Sequence, residues 1–70
     1  MLSIEQIMES LRQAVAAQRE ADDVAALRET QIAAGVLMNA ATWAGDKETA
    51  HAFQLLAAEA ANAQEDVSGE

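Results

Sequence analysis

Seventy residues allow one small domain, and the absence of cysteine rules out disulfides and thiolate metal sites as its staple. A net charge of -8 sets the chain against phosphate backbones and anionic leaflets, so neither direct nucleic-acid binding nor membrane binding is expected. A cysteine-free sequence fits a reducing compartment and a cytoplasmic setting. The opening stretch MLSIEQIMES carries Glu5 and Glu9 where a secretory signal needs basic and then apolar residues, and no run is apolar enough to span a bilayer.

The elements read as all-helical: proline is absent, alanine is abundant and no β-branched cluster suggests a strand. Ser3 is placed to cap a first helix, with Gln6 completing a capping box and Leu2 and Ile7 in the positions of a hydrophobic staple. One helix is predicted from about residue 3 to about 44. Within it, Ile7, Leu11, Ala14, Ala21, Ala25, Ile32, Val36 and Trp43 fall on a common side at 3.6 residues per turn. The charged run READD, residues 19–23, offers Asp22 or Asp23 as a cap for a new helix but contains no glycine or proline. A three-helix bundle broken near Asp22 is therefore the alternative architecture.

A second face gathers Val24, Leu27, Ala34, Met38 and Ala41. Gly45 suits the left-handed residue that ends a helix, and Asp46 suits the cap of the next. A shorter helix from about 46 to 63 then presents Ala52, Phe53, Leu56, Ala60 and Ala63, folding back so that Phe53 lies near Met38 and Leu56 near Gly35. Residues 1–64 form the single domain on this reading, and residues 65–70 an acidic, flexible tail.

A short second helix cannot cover the long seam of the first. Ile4, Ile7, Leu11, Ala14, Ala21, Ala25, Ile32, Val36 and Trp43 are therefore expected to meet another chain, with a homodimer of two hairpins in a four-helix bundle as the default. A different protein's helix or groove is the other possible occupant.

Chemistry has little foothold. Glu48 and His51 have the Glu-x-x-His spacing of di-iron bundles, but the segment facing them, Asn39 to Trp43, has no carboxylate. They are the only metal-ligand candidates, and no cofactor is expected. No nucleophile pairs with a base, and no glycine-rich phosphate loop occurs. A non-enzymatic protein is the expectation.

The tripeptide Trp43-Ala44-Gly45, preceded by Ala40 and Ala41 and followed by DKETAHAFQ, resembles the Trp-Xaa-Gly helical hairpins, the early-secreted-antigen-like substrates of type VII secretion. The resemblance implies two long helices, a dimeric four-helix bundle and export without a cleaved signal peptide. The chain departs from that family in being shorter and in having no tyrosine for the export motif after the second helix. The functional expectation is a small acidic protein that binds and modulates a larger partner, such as an inhibitor or adaptor encoded by a bacterial virus. The alternatives are the secreted hairpin, an acidic mimic of nucleic acid, and a bundle holding metal at Glu48 and His51.

Overall fold

The computed structural model describes residues 2–68. Three helices follow one another: α1 Ile4–Glu20, α2 Val24–Trp43 and α3 Lys47–Ser68. The predicted single helix over 3–44 is thus two helices. The molecule is a three-helix bundle and not a two-helix hairpin that needs a dimer to complete it.

The break rests on backbone chemistry. At the end of α1, the Asp23 N–H donates to the Gln18 carbonyl (3.0 Å) and the Asp22 N–H to the Arg19 carbonyl (3.1 Å), with Asp22 in the left-handed region at φ 55°. These two bonds are the Schellman pair that satisfies the last carbonyls of a helix. Asp23 then caps α2, its carboxylate accepting from the Ala26 N–H at 3.0 Å. The second turn repeats the first. The Asp46 N–H donates to the Ala41 carbonyl (2.9 Å) and the Gly45 N–H to the Thr42 carbonyl (3.0 Å), with Gly45 at φ 80°. The Asp46 carboxylate accepts from the Thr49 N–H at 3.1 Å. Ala21-Asp22-Asp23 and Ala44-Gly45-Asp46 are one device built twice, with an aspartate doing in the first turn what glycine does in the second.

The start of α1 follows the sequence. Ser3 Oγ accepts from the Gln6 N–H and Gln6 Oε1 accepts from the Ser3 N–H, closing the capping box. At the other end, α3 continues to Ser68, so residues 65–68, expected in a tail, lie in the helix. The remainder of that expected tail lies outside the described residues.

Helices α2 and α3 form the principal pair, and α1 lies against both over less of its length. Two apolar clusters hold them. Val15 of α1 meets Leu27 of α2 and Ala60 and Ala63 of α3, with Val67 against them. Ala34, Phe53 and Leu56 form the other cluster, joined by Ile7, Met8, Leu11, Leu37, Met38 and Ala57. Among the described residues, Leu27 is the one large side chain fully removed from solvent, and half of the buried apolar ones are alanines. Between the clusters, the buried Thr30 hydroxyl lies 2.8 Å from Gln18 Oε1 and 3.1 Å from the Ala26 carbonyl, donating to one at a time. Gln64 Nε2 donates to Gln31 Oε1 at 2.7 Å and joins α3 to α2.

Candidate functional site

The break at Asp22 divides the predicted seam. Ile7 and Leu11 turn inward and pack on the Ala34–Phe53–Leu56 cluster, and Ala14 is half-buried. Ile7 and Leu11 belong to the bundle's own interior, which corrects their placement on an open strip. Ala21 and Ala25 are exposed around the turn. Ile32, Val36 and Trp43 remain on the outside of α2, with exposures of 60%, 61% and 82%. Ile4 is 46% exposed at the start of α1.

Helix α2 is therefore apolar on two sides. At 3.6 residues per turn, Leu27, Thr30, Ala34 and Ala41 point into the bundle, and Ile32, Val36 and Trp43 point roughly the opposite way. The second face predicted for this segment is the one α3 covers: Leu27, Ala34 and Ala41 are buried, and Val24 and Met38 are partly so. Nothing among the described residues covers the other.

Two observations extend this outer face beyond three side chains. No residue from 30 to 45 is charged, although the chain carries 12 acidic and 4 basic residues. Ala33, Asn39, Ala40 and Ala44 are exposed on or beside the face. At its edge, a shallow hollow of about 240 Å³ runs between the three helices, with Ile4, Ile7, Leu37, Ala40, Ala41, Ala44 and Phe53 as its apolar wall and Asp46 and Thr49 at the margin. The outer face of α2 and the start of α1 thus share one apolar surface. The charge-free run was visible in the sequence. On the sequence alone a single continuous seam accounts for Ile32, Val36 and Trp43 without it.

The charged groups lie elsewhere. Arg12 pairs with Glu9 at 3.3 Å, and Arg19 pairs with Asp66 across α1 and α3, all four exposed. Exposed pairs of this kind contribute little. The Asp46 carboxyl is held below the usual carboxylate range by the Thr49 hydroxyl (2.7 Å) and then by the Thr49 N–H. Glu48 and His51 are both exposed near the start of α3, and among the described residues no three histidine or acidic side chains converge as a metal site. None of the described helices is long and apolar enough to cross a membrane.

No family model matches the chain, and neither the curated proteins nor the solved structures contain a match. What can be stated of its class is a small all-helical domain of three helices with an apolar, charge-free outer face on its central helix.

Proposed function

We propose that the protein is a non-catalytic binding module and that the outer face of α2 is its contact surface. The observation that carries this reading is the trio Ile32, Val36 and Trp43, held in water on a helix whose opposite side is the core. Single exposed apolar residues are ordinary, but a contiguous row of them marks an interaction site. Tryptophan is also the side chain most often found at the energetic centre of interfaces, where charged residues are depleted. A modulator of a larger protein fits this surface, and a cytoplasmic setting fits the cysteine-free sequence.

The test is capture from a lysate of the source cells with the chain immobilised, against Trp43→Ala and Ile32→Asp. Both positions are exposed, so both variants keep the bundle. Loss of a specific partner from both supports the reading, and its retention by both removes α2 from the interface.

A second reading, export as a Trp-Xaa-Gly protein, is favoured by the turn itself: Trp43 ends α2, Gly45 takes the left-handed conformation and Asp46 opens α3. Its test is secretion from a host carrying a type VII apparatus. Equal export of the native chain and a Trp43→Ala, Gly45→Ala double variant removes it.

A further inference from the structure

Helix α1 is held to the bundle by little. Among the described residues, Val15 is its one buried side chain, against four each in α2 and α3. Ile7, Met8 and Leu11 pack on the Ala34–Phe53–Leu56 cluster but stay only half-buried. The hollow of about 240 Å³ opens between Ile4 and Ile7 of α1 and the walls from α2 and α3. The polar links of α1 to its neighbours are the Gln18–Thr30 bond and the exposed pair Arg19–Asp66, and an exposed pair contributes little.

Departure of α1 strands no polar group on the other two helices. The Thr30 hydroxyl has a second acceptor, the Ala26 carbonyl of its own helix, at 3.1 Å. The Gln64–Gln31 bond joins α3 to α2 alone, and the bonds of the second turn and the Asp46 cap are made among residues 40–49. Helix α1 in turn takes its own support with it, since the Ser3–Gln6 box and the Glu9 bonds to Arg12 and Gln13 lie within it. The link that has to bend, Ala21–Asp23, holds Asp22 in the left-handed region, a conformation that a side chain disfavours and that opening relaxes.

We infer that α1 is a strap: it lifts from a standing α2–α3 pair at a lower free energy than the whole bundle unfolds, with Ala21–Asp23 as the hinge. Proteins open in cooperative units, and a unit with few buried apolar contacts is the first to do so. The lifted state uncovers Ala34, Phe53 and Leu56, and the hollow becomes a groove along α2 and α3. That groove borders Ala40 and Ala44, which are exposed in the closed bundle, so the apolar outer surface has a concealed continuation beneath α1. The motion needs no partner and is independent of what the outer face of α2 contacts.

The experiment is native-state hydrogen exchange of the full chain, read by NMR in the absence and presence of low urea. Amides in the middle of α1, from Leu11 to Gln18, are expected to be protected about tenfold or more weakly than the best-protected amides of α2 and α3, such as those of Ala34, Leu56 and Ala60. Their dependence on urea should be shallower, because lifting exposes less surface than unfolding. Gly45→Ala separates the two events. A Cβ on Gly45 meets nothing within 4 Å, so the variant strains the second turn without touching α1. It should speed the slow amides of α2 and α3 about 5–30-fold and leave those of α1 nearly unchanged, because that turn is formed in the closed and lifted states alike. Equal protection and equal urea slopes for α1 and for the core of α2 and α3 overturn the inference on the native chain alone. A Gly45→Ala chain whose α1 amides speed up as much as those of α3 overturns it as well.

Discussion

Asp22 is the residue on which the architecture turns. A side chain with a Cβ in the left-handed region costs about 1–2 kcal/mol, and aspartate is among the few that enter it as single residues. Replacement by glycine removes that strain at the cost of a freer unfolded chain. Asp22→Gly is therefore expected to be neutral or to stabilise by up to about 1 kcal/mol in denaturant unfolding. Gly45→Ala places a Cβ into the same conformation in the other turn and should destabilise by about 1–2 kcal/mol. Asp46 adds a pH dependence. Its folded-state pKa is lowered by the Thr49 hydroxyl and N–H, so its contribution is present above the unfolded carboxylate value and lost as pH falls below about 4. Unfolding curves of the native chain and Asp46→Asn should converge as the pH is lowered through that range. Curves that stay equally far apart from pH 7 to pH 3 contradict the cap's role.

At the scale of elements, much of the molecule was legible. The Ser3–Gln6 box, the Gly45–Asp46 turn and the stripe Phe53, Leu56, Ala60 and Ala63 are strong local signals, and each is where the sequence placed it. The first turn was less legible because its left-handed position holds aspartate, which reads as one more charge in READD. Alanines 14, 21 and 25 then bridged the gap, since alanine suits a core, a surface and a helix equally well. Projecting residues 4–44 on one axis joined Ile7 and Leu11 to Ile32 and Val36. The break at Asp22 sends the first pair into the core and leaves the second in water. The burial of Val15 and Thr30 is not legible along the chain for a related reason: it depends on α1 folding back. It follows that Ile7→Asp and Leu11→Asp are substitutions in the fold, expected to lower the melting temperature sharply, whereas Val36→Asp should leave it nearly unchanged. A bundle that tolerates Leu11→Asp would contradict the packing described.

The molecule as a whole has a thin interior. Among the described residues, four of the eight buried apolar ones are alanines, and the large ones are Leu27, Phe53 and Leu56, with Val15 beside them. Truncating the centre should therefore be severe. Leu27→Ala is expected to cost about 2–5 kcal/mol by denaturant unfolding, a large part of what a chain of this size has in reserve. The acidic side chains lie mainly on α1, α3 and the first turn, away from the uncharged stretch of α2. The surface is thereby divided into a repelling part and a part open to contact.

One property follows from where Trp43 stands. It is the sole tryptophan of a chain without tyrosine, so the near-ultraviolet emission comes from one indole, and that indole is already in water when the protein is folded. Melting the bundle should barely move the emission maximum, while anything that covers the outer side of α2 should shift it to shorter wavelength. The molecule carries an optical reporter that is nearly blind to its own folding and responsive to its company.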